Sequence, residues 1–316
     1  MTPGKFTGKI PLPLAVIAAF AVIGCILPRL VQDTESSYLI YVLFQIFLFI
    51  TLAQGWNLVA GYTGQISLGQ HAFFGSGAYV TAIFWNSGLG GYFDPFTMLL
   101  SGLAATLLAI LIGIPLLSRL RGDYFALGTL GLGEILRVIV IQGGAITGGS
   151  SGLILPSGAY TSITIYYYCS LALALFATLT VYLITKSRRG LALVAVRDCE
   201  IAAAASGIHI LKYKVVAFAI GAFFTGLCGS LQAYYLFQVS APNFFSLNWT
   251  LYPVIICVLG GVGTVIGPIA GAFVLTALFE VSKEWLPMIH PILSGVLVIV
   301  VILFLPGGIL RTKPQQ

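Results

Sequence analysis

The chain has 316 residues, of which 59% are hydrophobic and only 8% are Asp, Glu, Lys or Arg, and its formal net charge is +6. Soluble domains carry about 25% charged residues, so roughly a third of the charge that a water-facing surface needs is present. A soluble enzyme, a disordered tail and a nucleic-acid-binding domain are excluded, because a basic nucleic-acid site needs Lys and Arg clustered on one exposed face.

A helix crossing a hydrocarbon layer of ~30 Å needs about 20 apolar residues. Apolar stretches of that order lie at 12–30, 38–59, 70–86, 96–117, 123–142, 164–185, 214–237, 249–259, 263–283 and 289–309. The first follows Lys5 and Lys9, and Val22-Ile23-Gly24-Cys25 resembles a lipoprotein processing site. No small-residue cleavage motif follows, and the many later spans favour a permanently anchored first helix. The third stretch is rich in Gly. The eighth is too short to span alone and runs into Gly260-Gly261-Val262-Gly263 and Gly267-Pro268. A broken or re-entrant pair is therefore as good a reading there as two full helices. The expected fold is all-α and polytopic, with eight to ten transmembrane helices, ten preferred. It forms a single domain over 1–316, with a membrane core at 12–309, a polar loop at 186–214 and a tail at 310–316.

Cytoplasmic loops are enriched in Lys and Arg. Ten spans with the N-terminus inside place Lys5, Lys9, Arg119, Arg121, Lys186, Arg188, Arg189, Arg197, Lys212, Lys214, Arg311 and Lys313 on one side. The other side receives Asp33, Glu35, Asp94 and Glu284, with Arg29 and Lys283 as its basic exceptions. Both termini are expected in the cytoplasm, and an even number of spans is the firmer part of that expectation. The charge surplus is an orientation signal.

Chemistry that would mark an enzyme is missing. His71, His209 and His290 are scattered, Cys25, Cys169, Cys199, Cys228 and Cys257 have no metal-ligand spacing, and no G-x-x-x-x-G-K-[ST] phosphate loop occurs. Gly149-Ser150-Ser151-Gly152 has the wrong spacing for a nucleophile elbow. Aspartates fall in loops or at span ends, and the aromatics, including Tyr166-Tyr167-Tyr168 and Trp249, suit the interfacial belt of any membrane helix.

Three features carry information, taken in chain order. From Trp56 to Gly77, the polar residues Asn57, Gln65, Ser67, Gln70 and His71 lie at or near membrane depth among glycines. Polar or irregular backbone there is tolerated when it lines a watery cavity or is buried in protein. A translocation pathway, interhelical hydrogen bonding and a simple cytoplasmic turn are all open readings. In the fifth stretch, Glu134 and Arg137 stand three residues apart on one helical face. Intramembrane charges are functional candidates by default, although each here has its neutralising partner within reach. The polar loop 186–214 contains Asp198-Cys199-Glu200-Ile201 and an Ala run that reads as a short helix ended by Gly207. Such a helix offers either a knob for a partner's groove or a basic-flanked interfacial segment held by anionic lipid.

NLVAGYTGQISLGQHAFFGSGAY (57–79), YFALGTLGLGEILRVIV (124–140), TGGSSGL (147–153), AVRDCEIAAAASGIHILKYKVVAFAIGAFFTGLCGSLQAYY (195–235), GGVGTVIGPIAGAFVL (260–275) and LFLPGGIL (303–310) together resemble one family. It is the membrane permease subunits of bacterial branched-chain amino acid ABC importers. The resemblance covers most of the chain after residue 55, in order. It implies a permease of the inner membrane that pairs with a second homologous permease around a central pathway. It also implies two cytoplasmic ATPase subunits and an extracytoplasmic substrate-binding protein. No cofactor is then expected in this chain, since ATP and Mg are bound by the ATPase subunits, and membrane lipid rather than nucleic acid surrounds it. The loop around 195–214 becomes an ATPase-coupling segment. Glu200, Ala204 and Gly207 loosely match the E-A-A…G pattern of ABC permeases, with Arg197 just before them. Relatives also carry urea, short amides and other amino acids, and these motifs do not separate the substrates. An ion-coupled secondary transporter is the rival reading, but it would want intramembrane acids beyond Glu134 and Glu280.

Overall fold

The computed structural model describes residues 12–30, 36–144, 146–156, 160–285 and 308–309. Apolar runs bounded by polar, Gly or Pro residues become helices: α1 (Leu12–Leu30), α2 (Ser36–Thr63), α3 (Gln70–Asn86), α4 (Pro95–Arg119), α5 (Asp123–Gln142) and α6 (Ile163–Lys186). Then follow α7 (Arg188–Asp198), α8 (Glu200–Ala205), α9 (Ile210–Leu236), α10 (Ala241–Phe244), α11 (Asn248–Gly260) and α12 (Gly267–Trp285). Nine of the ten expected stretches are matched by helices. The tenth lies outside the described residues except for 308–309. Among the described residues, six segments are long and apolar enough to cross a membrane: α2 from Tyr38, α4, α5, α6, α9 and the joined stretch Ala241–Gly260. The all-α expectation needs one small amendment, a two-residue antiparallel pairing of β1 (Leu153–Ile154) with β2 (Gln238–Val239).

Start signals are local. Asp94 caps α4, accepting from the backbone N–H groups of Phe96 and Thr97, each at 3.2 Å, with Pro95 at the first helical position. The Thr97 hydroxyl also donates to Asp94 at 2.6 Å, which is the main reason its carboxyl is held below the usual carboxylate range.

α9 is the hub, packed on α2, α3 and α4. Without a hydrophobic drive in lipid, helices associate through close packing and interhelical hydrogen bonds, which small residues permit. α4 presents Thr97, Ser101, Ala105, Ala109 and Gly113, all buried and four residues apart. Gly226 of α9 packs into that stripe so closely that a Cβ there would sit 2.6 Å from Ala105 Cβ. The hydroxyl of Thr81 (α3) lies 2.8 Å from that of Ser101 and donates to Ser230 (α9) at 2.7 Å.

The ends sort into two groups. At one end, Asn86 donates to the Ile154 carbonyl at 3.2 Å, Tyr92 and Tyr166 share a hydrogen bond at 2.7 Å, and β1 pairs β2. At the other, Arg197 donates to the Gly61 carbonyl at 3.0 Å, and Gly263 N–H donates to Asn57 at 2.8 Å. The N–H of Ile309 donates to the Leu259 carbonyl at 2.7 Å, placing 308–309 at this second end, with loop 186–214. α1 starts toward that end too, because the Tyr167 hydroxyl, near the first-end start of α6, donates to Gly24 late in α1.

The aromatic-belt expectation is corrected at Trp249, while Tyr166 and Tyr167 stand in the first turns of α6, at the first end. Tyr166 and Tyr167 are fully buried. Trp249 stacks on Phe74 with ring centroids 4.0 Å apart, and beside Phe49 at 6.2 Å, which is the midpoint of α2. Packing against neighbouring helices fixes these rings.

Candidate translocation and coupling site

The eighth stretch forms the 13-residue α11, separated from α12 by residues 261–266. After α9, the chain turns back through β2 and α10, burying Ala241, Phe244 and Phe245 in the core. α11 then begins beside Phe49, halfway along α2, and runs to the end that bears loop 186–214. α3 mirrors it from the opposite side. Residues 64–69 lead from the α2 terminus back into the bundle, and Gln70 donates to the Leu52 carbonyl at 3.0 Å. Leu52 lies eleven residues before Thr63, or ~16 Å at 1.5 Å per residue.

Two helix starts therefore meet inside the bundle. The backbone N–H of His71 donates to Thr250 Oγ1 at 2.9 Å, and His71 Nδ1 lies 2.9 Å from the same oxygen. A hydroxyl oxygen accepts up to two hydrogen bonds, so this contact is satisfied with the ring proton on either Nδ1 or Nε2. That Nε2 is buried without a partner and faces Gly133 of α5, where no Cβ would fit.

The five pathway candidates divide by role. Asn57 clamps the loop after α11, donating to the Thr264 carbonyl and accepting from Gly263 N–H, both at 2.8 Å. Ser67 accepts from Gly69 N–H at 3.3 Å, and its carbonyl accepts from Trp56 Nε1 at 2.8 Å. Gln70 and His71 sit at the midpoint junction, and Gln65 is buried on the way to it. Gln65 Oε1 and Gln70 Oε1 are buried without partners among the described residues. Sequence reasoning missed Gln54, which donates to the Val265 carbonyl at 2.8 Å and leaves its own oxygen unpartnered, and missed Thr250. Gln54 stands one turn before Asn57 on α2, so helical spacing alone could have found it.

Loop 186–214 is mostly helical. Ser187 caps α7 by accepting from Arg189 N–H at 3.2 Å. Cys199 is extended and breaks the run, so α8 starts at Glu200. Gly207 ends it in a left-handed conformation at φ +80°, with open space around its Cα. The four coupling candidates separate into anchors and surface. Glu200 pairs with Lys214 of α9 at 2.5 Å, and the Lys214 side chain is only 3% exposed. Arg197 Nε donates to Asp198 at 3.0 Å while its Nη1 reaches Gly61. Ala204 and Gly207 are exposed and border a shallow cavity of about 520 Å³. Ile201, not singled out in sequence, is 82% exposed on the same short helix.

Glu134 and Arg137 do pair, at 3.1 Å, but away from the bundle interior, with side chains 52% and 40% exposed. No group of three or more His, Cys, Asp or Glu that could hold a metal ion occurs among the described residues.

A family model for the permease component of branched-chain amino acid transport systems matches residues 38–306. A high-affinity branched-chain amino acid transport system permease protein LivM from Escherichia coli (strain K12) is 31% identical over 299 residues, covering 85% of this chain and 69% of that protein. The protein of that name from Salmonella typhimurium (strain LT2) matches with the same identity and coverage. A probable branched-chain amino acid transport permease protein LivM from Methanocaldococcus jannaschii is 25% identical over 246 residues, 69% of each chain. No solved structure matches the chain. The chain belongs to the family of branched-chain amino acid transport permeases.

Proposed function

We propose that this chain is the membrane-spanning permease of an ATP-driven importer for branched-chain or other hydrophobic amino acids. The end bearing α7 and α8 is the cytoplasmic one, the chain crosses the inner membrane ten times as one domain, and both termini are cytoplasmic. Two ATPase subunits dock on α8 and bind ATP and Mg, an extracytoplasmic binding protein delivers the substrate, and a second homologous permease completes the pathway. The single observation that supports this reading best is the anchoring of α8. A six-residue helix presents Ile201 and Ala204 outward while the Glu200–Lys214 pair ties it to α9 and Arg197 ties α7 to the end of α2.

Those ties suit force transmission. A push on α8 is carried to α9, and through Gly61 to α2, which also holds the loop after α11 by Asn57 and Gln54. The elements moved are those whose starts meet at His71 and Thr250. Helix N-termini carry partial positive charge, and broken helices that aim them at mid-membrane suit the carboxylate of a zwitterionic amino acid. The unpartnered Gln65 and Gln70 oxygens are acceptors of the kind an ammonium group needs.

The test is reconstitution of the permease pair with its ATPases in proteoliposomes. ATP-dependent leucine uptake, stimulated by loaded binding protein, is the expected result, and competition by urea, amides and other amino acids defines the substrate class. Uptake by this chain alone, driven by an ion gradient without ATP, overturns the reading.

A further inference from the structure

Where α2, α6, α7 and α9 converge, near the end that bears loop 186–214, lies a cavity of about 290 Å³. Its apolar wall is built from Leu58 (α2), Ile184 (α6), Leu193 (α7), and Val216 and Ile220 (α9). Arg189 of α7 and Lys212 and Tyr213 of α9 also line it. Polarity therefore changes along its length. Lys212 stands two residues after the start of α9 and Ile220 ten, so the apolar end lies ~12 Å further along the helix than Lys212. Arg189, Lys212 and Val216 are exposed, so the cavity is open to its surroundings and not sealed.

Its two cations are uncommitted. Asp198 and Glu200 are the only carboxylates in 186–214, and they pair with Arg197 and Lys214. Arg189 and Lys212 form no ion pair among the described residues, and the Tyr213 hydroxyl makes no hydrogen bond there. The lining thus asks for an anion at one end and an apolar chain at the other. Basic recesses between transmembrane helices at the membrane surface suit acidic headgroups, and a Tyr with an apolar ring and a polar tip suits that level. A water-borne subunit docking on α7 and α8 could offer an acidic side chain to the mouth. Covering the apolar wall as far as Ile220 takes a flexible hydrocarbon chain, which a lipid carries.

We propose that this cavity holds one anionic phospholipid, with its phosphate engaged by Arg189 and Lys212 and one acyl chain laid along α9 toward Ile220. The inference uses the membrane-spanning character of the chain, not its substrate or its energy source. Because Arg189 belongs to α7 and Lys212 to α9, the bound headgroup bridges the two helices beside the Glu200–Lys214 tie.

The experiment uses the full chain, purified with the subunits that accompany it and stripped of lipid in a neutral detergent. The probe is phosphatidylglycerol with a photoreactive group on one acyl chain. Labelling is expected at Val216–Ile220 and at Leu58, competed by unlabelled phosphatidylglycerol or cardiolipin. Phosphatidylcholine of the same chain length, and glycerol phosphate without chains, should compete at least tenfold less well. Arg189→Gln with Lys212→Gln should lower labelling at least tenfold. Lys186→Gln with Arg188→Gln removes the same charge from exposed residues outside the cavity and should leave labelling little changed. Labelling spread evenly over other spans overturns the proposal, as does equal competition by phosphatidylcholine. Full competition by glycerol phosphate would make this a site for a free anion, not a lipid. Equal loss in the two double variants would reduce it to surface charge. Retained labelling with loss of the ATPase subunits in the Arg189, Lys212 variant would assign the mouth to protein docking, and each of these three results also overturns the proposal. The mapping and competition on the unsubstituted chain decide the matter even where a variant fails to assemble.

Discussion

Lys214 is 3% exposed and has Glu200 as its counter-charge. Stranding one partner of a buried ion pair costs about 3–5 kcal/mol, whereas replacing both with apolar groups is often neutral. Because Glu200 is still a quarter exposed, a cost below that range is expected when Lys214 is removed. Lys214→Met should therefore lower leucine uptake at least tenfold with the chain still inserted, because α8 loses its tie to α9. The double change Glu200→Gln with Lys214→Met should recover the amount of assembled importer more than its uptake, measured as a double-mutant cycle on both readouts. Full uptake in the single variant would remove the anchor from the mechanism. The sequence showed Glu200 as a helix-starting acid, but its partner fourteen residues on belongs to another helix. No spacing rule reaches that far.

α3 and α5 coincide with the apolar stretches 70–86 and 123–142, because each is bounded by residues that stop or start a helix. α7 was not anticipated, since its apolar run, 191–196, is too short to mark a span and is flanked by Arg188, Arg189 and Arg197. What hydropathy does not report is depth. That α3 and α11 begin at the middle of α2 follows from Gln70 reaching Leu52 and from Trp249 lying against Phe49, both long-range contacts. Gly133 is the tightest point of that junction. Gly133→Ala must displace the His71 ring, whose Nδ1 is engaged by Thr250. The expected outcome is a normally inserted chain whose ATP-dependent uptake falls at least tenfold, while Gly131→Ala, facing open space, stays near wild type. Equal uptake in the two variants would show that the junction does not take part in transport. The stripe Thr97, Ser101, Ala105, Ala109 and Gly113 was legible as small residues at helical spacing, but only packing identifies α9 as its partner.

Across the whole molecule, alternating helices bring 186–214, the loop after α11 and residues 308–309 to one end. Cys199 is exposed in the first of these, and residues 150–151 are exposed at the opposite end. With the cytoplasmic assignment proposed for the α7–α8 end, a membrane-impermeant maleimide should label Cys199 in inverted vesicles and not in intact cells. Ser150→Cys should behave in the opposite way. Labelling of Cys199 from outside would reverse the orientation of every loop. Asp33, Glu35, His290 and the tenth stretch lie outside the described residues, so the count of ten spans rests on hydropathy and on where 308–309 sits.

The sequence by itself determined that this is a membrane protein, where most of its helices begin and end, and which family it resembles. Those properties reside in local composition, since each helix satisfies its own backbone and needs only an apolar run of sufficient length. The orientation expected from the charge surplus of +6 is local in the same sense, because basic residues accumulate in loops segment by segment. Tertiary structure alone decided which polar residues meet. The His71–Thr250 junction, the Arg197–Gly61 tie and the outward placement of Glu134 and Arg137 depend on the rotation and depth of each helix. Rotation and depth are set by the close approach of small residues on other helices, and hydropathy contains no record of them.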